Sequence, residues 1–239
     1  MKYLDLTLRS PAENLAFDEW LLAKCEETGE ETLRFWESPA RFVVLGISNH
    51  VSAEVDLAEC GRLEIPVTRR ISGGGAVVQG KGCLSYALAM RIPEQGALAA
   101  ISATNRQVME TNAAAFAKLL GAPVTVRGHT DLEWQGRKFS GNSQKRGRTA
   151  LLFHGTVLYQ ADLEQFGRLL RHPSREPDWR QQRTHERFLV NIPLSRPQLM
   201  AALRQAWRAE EEHAQTFATK VVEALAQRHR DPKWVHRLP

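Results

Sequence analysis

The most informative part of this sequence is the stretch Arg69-Arg70-Ile71-Ser72-Gly73-Gly74-Gly75-Ala76-Val77-Val78-Gln79-Gly80-Lys81-Gly82. Three consecutive glycines are followed closely by two β-branched valines, which favour a strand. Glycine weakens a strand, but it is tolerated where the backbone turns sharply or approaches another group closely. The flanking Arg69, Arg70 and Lys81 make a negatively charged group a natural ligand of this turn. From these residues alone, a plain glycine-rich turn is an equal alternative.

The same stretch argues against two common nucleotide-binding motifs. In a dinucleotide-binding fingerprint the glycines open a helix, whereas a strand-like run follows them here. A P-loop ends in Gly-Lys-Ser or Gly-Lys-Thr, but Gly82 follows Lys81 in this chain. The glycines therefore predict a turn at the margin of a strand that belongs to neither motif.

Composition and charge set the broad class. The chain has 239 residues, of which 43% are hydrophobic and 25% charged, as is typical of a globular protein with one large or two small domains. The net charge of +5 suits nucleic acid, an acidic protein or a phosphate-bearing ligand. No apolar run reaches the roughly 18–20 residues that cross a bilayer. The acidic start, Met1–Leu6, is unlike a secretion signal.

Cysteine usage points to the compartment. Cys25, Cys60 and Cys83 are odd in number and lack C-x-x-C spacing. This pattern argues against a disulfide framework or a zinc knuckle, and it fits a reducing environment. The sequence therefore predicts a cytoplasmic protein that does not cross a membrane.

Helix and strand signals predict the fold class. A capping box, Ser10-Pro11-Ala12-Glu13, predicts a helix that ends at Gly29, and Ser195 opens another helix in the same way. Further helices are predicted at roughly 51–60, 103–120, 161–170 and 215–229. Strands are predicted at 32–36, 41–45, 66–70, 84–90, 124–127, 131–134, 138–139 and 151–158. Because strands outnumber crossover helices, we expect an α+β fold with a mixed, largely antiparallel sheet backed by helices.

A second motif lies in the downstream half of the chain. Lys138 stands beside Ser140-Gly141 within the run Gly136–Gln144, and His154-Gly155-Thr156 follows in the next predicted strand. Taken alone, Lys138 is most simply a surface lysine and His154 a hydrogen-bonded core histidine. The combination is uncommon, so the two pieces together form a candidate site.

These pieces carry a family resemblance that runs from about residue 14 to residue 158. Its markers are Asn14–Glu19, Leu33–Trp36, Val43–Gly46, Arg69–Val77, Gly136–Gly141 and His154–Thr156. In order and spacing they resemble the superfamily of lipoate–protein ligase A, octanoyltransferases and biotin ligases, and most closely its lipoate ligase branch. Biotin ligases carry a different, arginine-bearing glycine loop and are the weaker match.

The resemblance implies a fold and a reaction. The fold would be similar to the catalytic domain of biotin ligase and of class II aminoacyl-tRNA synthetases. A medium-chain acid, lipoate or octanoate, would be activated with ATP, with Mg²⁺ accompanying the nucleotide. The acyl group would then pass to a lysine of a lipoyl carrier protein, either H protein or the lipoyl domain of a 2-oxoacid dehydrogenase.

The resemblance also implies site residues. Lys138 would be the catalytic residue, because attack of a carboxylate on the α-phosphate brings two anions together and needs a neutralising cation. Apolar residues near Val77 and Val157 would suit the acyl chain, although ordinary core is an equal alternative for them. No residue is assigned to a metal. The residues expected to bind acid and ATP are Arg70, Ser72, Gly73, Gly74, Gly75, Ala76, Gln79, Cys83, Asp131, Ser140, Gly141, His154, Gly155 and Thr156.

The sequence departs from the family pattern in ways that leave alternatives open. Ligases often have a histidine and an asparagine where Gln79 and Cys83 stand, so the choice of acid stays open. Octanoyltransferases use a cysteine nucleophile either shortly before the Lys-Ser-Gly motif or downstream of His-Gly-Thr, and this chain has neither. That absence favours the ATP-dependent ligase over acyl transfer from acyl-carrier protein or a lipoyl domain. Cys83 is a small buried thiol or, alternatively, a displaced nucleophile.

Domain organisation and partners complete the expectations. We expect one catalytic domain over residues 1–239 without a C-terminal accessory domain, which a separate chain would supply if it is needed. A non-catalytic, ligase-like binding protein is the third alternative. Nucleic-acid binding is disfavoured because the glycine triplet and Lys138 are both present. In the arginine-rich stretch 171–187, Arg175, Arg180 and Arg183 are candidates for steering an acidic carrier.

Overall fold

The computed structural model describes residues 1–213 and 219–239. None of its described helices combines the length and the apolar character needed to span a bilayer. The strands are β1 Lys2–Asp5, β2 Thr32–Trp36, β3 Phe42–Leu45, β4 Val67–Arg69, β5 Val77–Gln79, β6 Cys83–Arg91, β7 Thr125–Arg127, β8 Asp131–Trp134, β9 Arg137–Arg146, β10 Ala150–Leu158 and β11 Glu211–Glu212. The helices are α1 Pro11–Thr28, α2 Val51–Glu54, α3 Leu57–Arg62, α4 Ile101–Leu120, α5 Glu164–Leu169, α6 His185–Phe188, α7 Arg196–Ala206, α8 Thr219–Arg230 and α9 Pro232–Val235.

Within the described residues, the strands form a large and a small sheet. The large sheet has the order β11-β1-β2-β6-β10-β9-β8-β7, in which β1 pairs in parallel with β2 and β11 while the other neighbours are antiparallel. The small sheet has the order β4-β3-β5 and is also mixed. The expected α+β class with a mixed, largely antiparallel sheet is confirmed.

Helices cover both faces of the large sheet. Helices α4 and α7 pack on one face, where Phe116 and Phe139 meet edge to face with ring centroids 5.7 Å apart. Helices α1 and α8 pack on the other face, through Phe17 and Leu21 of α1 and Val222 of α8. Successive residues of β6 and β10 therefore alternate between two apolar layers, so both strands are buried along nearly their whole length.

Several predicted boundaries are confirmed by local hydrogen bonds. Ser10 caps α1, and its capping box with Glu13 is complete. Gly29 ends the helix in the left-handed conformation, with φ of 74°. The second capping box is also present, at Ser195 before α7. These signals act within a few residues, which is why the sequence alone predicts them.

Other elements differ from the prediction because of contacts with distant residues. Strand β9 is longer than the expected 138–139, because its polar half pairs with β10. Helix α5 begins at Glu164 rather than residue 161, because the side-chain amide of Asn191 forms hydrogen bonds with both the backbone N–H and the carbonyl of Ala161. The helix predicted at 51–60 is divided where Asp56 caps α3. The predicted helix at 215–229 is present from Thr219 onward, and its expected start lies outside the described residues.

A buried cation joins α1 to the large sheet. The side chain of Arg34 in β2 is 0% exposed and forms an ion pair with Asp18, with 2.6 Å between Nη1 and Oδ1. Its remaining N–H groups donate to the backbone and side-chain oxygens of Asn14 and to the carbonyl of Leu6. All five guanidinium donors are thus paired, which is the condition for burying such a charge.

We expect Asp18→Ala to destabilise the protein strongly. The substitution leaves the Arg34 guanidinium buried without its counter-charge, a change that typically costs about 3–5 kcal/mol. Urea denaturation gives the free energy of unfolding directly. The matched control is Asp162→Ala, which removes an exposed ion pair with Arg41 and should cost no more than about 1 kcal/mol. Equal losses for the two variants would contradict this account of Arg34.

Candidate active site

One large cavity, of about 930 Å³, lies between α1, the two sheets and residues 171–189. It contains both sequence motifs, because the glycine loop between β4 and β5 faces the part of β9 and β10 that carries the second motif. The predicted site residues that line it are Arg70, Gly74, Gly75, Ala76, Gln79, Asp131, Lys138, Ser140, Gly141, His154, Gly155 and Thr156.

Three predicted site residues lie elsewhere. Ser72 and Gly73 stand behind the cavity wall: the Ser72 hydroxyl is 2.5 Å from His154 Nε2, and the Gly73 carbonyl accepts a hydrogen bond from Ser143 of β9. Cys83 lines a separate, smaller pocket of about 280 Å³ beyond Gln79. Burial raises the pKa of the Cys83 thiol to about 12, and the nearby Glu37 carboxylate adds to the shift. Cys83 is therefore a protonated thiol near neutral pH.

Lys138 places a cation on the cavity wall. Its Nζ is 2.7 Å from Oδ1 of Asp131 on the neighbouring strand β8, and its side chain is 25% exposed. The end of the side chain lies over Gly141, where a Cβ would be 2.9 Å from Nζ. Glycine at position 141 therefore leaves room for the lysine side chain. The ion pair with Asp131 holds that side chain over Gly141.

Arg70 lines the cavity but is already occupied by its own loop. Its guanidinium donates to the hydroxyl of Ser72 and to the carbonyls of Gly73 and Gly75. Burial lowers the pKa of Arg70 to about 10, so it stays cationic at neutral pH. The side chain thus holds the glycine loop in shape while its charge faces the cavity.

The opposite part of the cavity is apolar. Leu15 of α1, Trp36 of β2 and Val44 of β3 form a cluster against which Val77 of the glycine loop packs. Val157 does not take part: it lies in the core beneath α4 and α7, so the expected acyl-chain role is wrong for it. Alternation along a strand explains this, because residues 156 and 157 face opposite sides of the sheet.

A polar group borders this apolar part. Nδ1 of His154 lies 3.7 Å from the carboxylate of Asp18, the partner of Arg34. Burial by itself raises the pKa of the Asp18 carboxyl, but Arg34 and His154 outweigh it and hold the pKa below its ordinary value. The carboxylate therefore stays ionised and orients the imidazole towards the glycine loop.

Sequence reasoning missed a chain of buried hydrogen bonds that reaches the cavity. Trp207 Nε1 donates to the Asn112 side chain, Asn112 donates to the Tyr86 hydroxyl, and Tyr86 donates to Asn142. The Asn142 amide in turn donates to the carbonyl of Thr130. Asn142 directly follows Gly141, so its place in the second motif was a signal. Nothing in the local sequence marks Tyr86 or Asn112.

Arg180, one of the three arginines that were candidates for steering an acidic carrier, does not lie at the surface. Arg180 is 5% exposed, lines the cavity, and stacks on Phe188 with its guanidinium 4.8 Å from the ring centroid. The Arg183 guanidinium donates hydrogen bonds to the carbonyls of Gly136 and of neighbouring residues.

His185, in the helix that follows, is neutral at neutral pH. Burial lowers the pKa of its imidazole to about 4, and the positive charge of Arg180 adds to the shift.

The base of the glycine loop is fixed by Arg69, which is 0% exposed. Its guanidinium donates to the carbonyl of Gly46, at 2.7 Å, and twice to the carbonyl of Val235. Its own carbonyl accepts a hydrogen bond from the Trp234 indole. The loop rests closely on the turn after β3, since a Cβ at Gly46 would lie 2.0 Å from the carbonyl oxygen of Gly74.

We expect Gly46→Ala to displace the glycine loop and destabilise the fold. The collision is with backbone, which cannot move aside as a side-chain tip can, and overpacking of this kind costs about 1–3 kcal/mol. Gly61→Ala is the control, because nothing lies within 4 Å of the added methyl group. In an exposed part of helix α3 it should leave stability unchanged or raise it by up to about 1 kcal/mol. Thermal or urea unfolding of both variants measures the difference, and a Gly46→Ala protein as stable as the wild type would contradict the proposed close contact.

Comparison with known proteins gives the family. Residues 10–210 match the family model of the lipoyl protein ligase A/B catalytic domain. A probable lipoate-protein ligase A of Mycoplasma pneumoniae is 30% identical over 92% of this chain, which spans 66% of that protein. An octanoyltransferase LipM of Carboxydothermus hydrogenoformans is 27% identical over 73% of this chain and 71% of its own length. This chain is thus shorter than the M. pneumoniae relative it matches.

Solved structures share the fold at low sequence identity. A bi-partite lipoate protein ligase from Thermoplasma acidophilum, described with its E2 lipoyl domain, superposes with a TM-score of 0.81 at 20% identity, covering 100% of this chain and 96% of that one. A lipoate-protein ligase A bound with ATP gives a TM-score of 0.79 at 21% identity, with full coverage of both chains. The family expected from the sequence motifs is confirmed: the chain belongs to the lipoyl protein ligase A/B catalytic domain family.

Proposed function

We propose that this protein is an ATP-dependent ligase that activates lipoate or octanoate as acyl-AMP and transfers the acyl group to a lysine of a lipoyl carrier protein. One observation carries the proposal: a single cavity holds the Lys138 ammonium in one part and an apolar wall in another. That arrangement fits an amphiphilic substrate, a carboxylic acid with a hydrocarbon chain. Family membership and the ATP-bound structural neighbour support the assignment.

The pairing of β9 with β10 suggests how the acid would lie. The Lys138 side chain reaches Gly141, which is opposite Thr156, and His154 is opposite Ser143. Two residues along a strand span about 6.6 Å, so the acyl chain would extend from Lys138 past Thr156 towards His154. Trp36 and Leu15 lie beside His154, where they would contact the far end of the chain.

Two transfers make up the reaction. In the first, a carboxylate oxygen of the acid bonds to the α-phosphorus of ATP and the bond to pyrophosphate breaks. Lys138 would neutralise the two anions as they approach, and backbone N–H groups of the glycine loop would face the phosphate. In the second, the amine of the carrier lysine bonds to the acyl carbon, loses a proton, and AMP leaves. This step mainly requires positioning.

Asp131 and the nucleotide's cation have limited roles in this scheme. Asp131 orients the Lys138 side chain through their ion pair. In the described part of the chain, no group of three or more His, Cys, Asp or Glu side chains could hold a metal ion. Mg²⁺ would accompany the nucleotide phosphates, and Asp131 is the carboxylate that contacts the lysine.

The carrier would be a lipoyl domain or H protein. The bi-partite T. acidophilum ligase is described together with its E2 lipoyl domain, which supports a lipoyl domain as acceptor. The same comparison makes a separate accessory chain a reasonable partner for this protein. Of the arginines that were candidates for docking, Arg175 is the exposed one at the cavity mouth.

Replacing Lys138 should abolish acid activation without loss of the fold. Acid-dependent exchange between ATP and pyrophosphate should fall by about 10²–10³-fold in Lys138→Met, the usual effect of removing a charge that stabilises the transition state. Lys145→Met is the matched control, because Lys145 is exposed further along the same strand and outside the cavity. Exchange at the wild-type rate in Lys138→Met would remove the lysine from the mechanism. No acid-dependent exchange in the wild type would reject the ligase.

Because one relative is an octanoyltransferase LipM, an ATP-independent acyltransferase is the second candidate function of this protein. That reaction would need a nucleophile, and Cys83 is the cysteine adjacent to the glycine loop. Its burial and raised pKa disfavour the thiolate, which is the reactive form.

We therefore expect Cys83→Ser to retain full ATP-dependent carrier modification and to show no loss of an acyl adduct by mass spectrometry. Transfer from octanoyl-acyl-carrier protein without ATP, with an adduct that disappears in Cys83→Ser, would instead establish the transferase.

A further inference from the structure

Arg180 is a buried charge in the cavity wall whose guanidinium is not fully hydrogen-bonded. It lies in the 3₁₀ turn Asp178–Arg180, its side chain is 6% exposed, and its guanidinium stacks on Phe188. Burial lowers its pKa, but an arginine remains protonated at any physiological pH. A fixed positive charge therefore faces the cavity from the segment that follows α5.

The hydrogen bonds of Arg180 are incomplete. Nε donates to the carbonyl of Arg183 at 3.0 Å. Nη2 is buried and has no hydrogen-bond partner among the residues that the structure describes. The indole Nε1 of Trp179, in the same turn, is likewise buried and unpartnered within residues 1–213 and 219–239. It lies beside Gly128, which also lines the cavity.

The neighbouring carboxylates do not accept a hydrogen bond from Nη2 of Arg180. Glu176 lies 3.5 Å from Nε rather than Nη2, and its oxygens already accept from the backbone of Gln182 and contact His172. Asp131 is paired with Lys138. Leaving a buried donor unpaired costs more when the donor belongs to a charged group than when it is neutral. An acceptor from outside the chain would therefore be favoured at this point.

We propose that Arg180 is a phosphate ligand, with Nη2 donating to an oxygen of the nucleotide's β- or γ-phosphate and then of the pyrophosphate that leaves. The inference rests on the proposed function, because a polyphosphate is the anion that an acyl-adenylate reaction supplies. A guanidinium matches phosphate oxygens in a planar, directional way. Lys138 serves the reacting carboxylate and α-phosphate, whereas Arg180 serves the leaving group.

Direct binding measurements test this assignment. We would titrate the wild type, Arg180→Met and Arg180→Lys with inorganic pyrophosphate, with α,β-methylene-ATP and with octanoate alone in a calorimeter. Pyrophosphate and analogue affinity should fall by about tenfold to a hundredfold in Arg180→Met, the loss expected for a hydrogen bond to a charged group. Arg180→Lys should retain part of the affinity, since it keeps the charge without the planar donor pair. Octanoate affinity should not change.

The same titrations include a control variant and can contradict the proposal. Arg187→Met removes an exposed arginine seven residues away, outside the cavity, and should bind all three ligands as the wild type does. Unchanged pyrophosphate affinity in either Arg180 variant that folds, judged by its own thermal unfolding, would overturn the proposal. Loss of octanoate affinity alone would overturn it too, by assigning the anion to the acid's carboxylate.

The outcome separates this inference from the proposed function. Wild-type exchange of ATP with pyrophosphate, together with undiminished binding in the Arg180 variants, would reject the phosphate ligand and leave the ligase intact. Pyrophosphate binding that depends on Arg180, in a protein without acid-dependent exchange, would retain the anion site and reject the ligase. A wild type that binds neither pyrophosphate nor the analogue would reject both.

Discussion

The buried pair of Arg34 and Asp18 is the constraint on which the site depends. A guanidinium with no exposed surface requires every donor to be paired, and this fixes α1 against β2 in one register. The same carboxylate then faces His154, and His154 meets Ser72 behind the glycine loop. An interaction whose first role is in the core thus determines where two sequence motifs meet. The polar side chains around the apolar end of the cavity are an extension of that core network.

Three cationic side chains of the cavity, Arg70, Lys138 and Arg180, differ in what they contact, and this determines what each can do. Arg70 gives its donors to the carbonyls of its own loop, so what it presents to the cavity is its charge and the shape of that loop. Lys138 has one carboxylate partner and a flexible stem, so its ammonium can follow a charge that moves during a reaction. Arg180 is held by stacking on Phe188, with a donor left over. These three of the positive charges that line the cavity therefore differ in kind, although the sequence presents them as similar.

Local signals were enough for the helix caps and the strand margin at the glycines, and the family resemblance supplied the residues that line the cavity from both motifs. They failed where a residue's role depends on what lies opposite it. Gln79 and Cys83 are four positions apart, yet Gln79 bonds Thr156 in the cavity and Cys83 lies beyond it. Val157 follows Thr156 but faces the other layer. Arg180 belongs to a segment without periodicity, and its burial comes from the packing of α6. Side-chain direction and burial of this kind arise from tertiary contacts.

Arg69 has a consequence for the order in which the molecule assembles. The arginine at the start of the glycine loop donates two hydrogen bonds to the carbonyl of Val235, a residue 166 positions further along the chain. Closing so large a span is entropically costly and comes late in folding. Val235 is synthesised after α1 and after every described strand, so the loop gains this anchor only once all of those elements are available to fold.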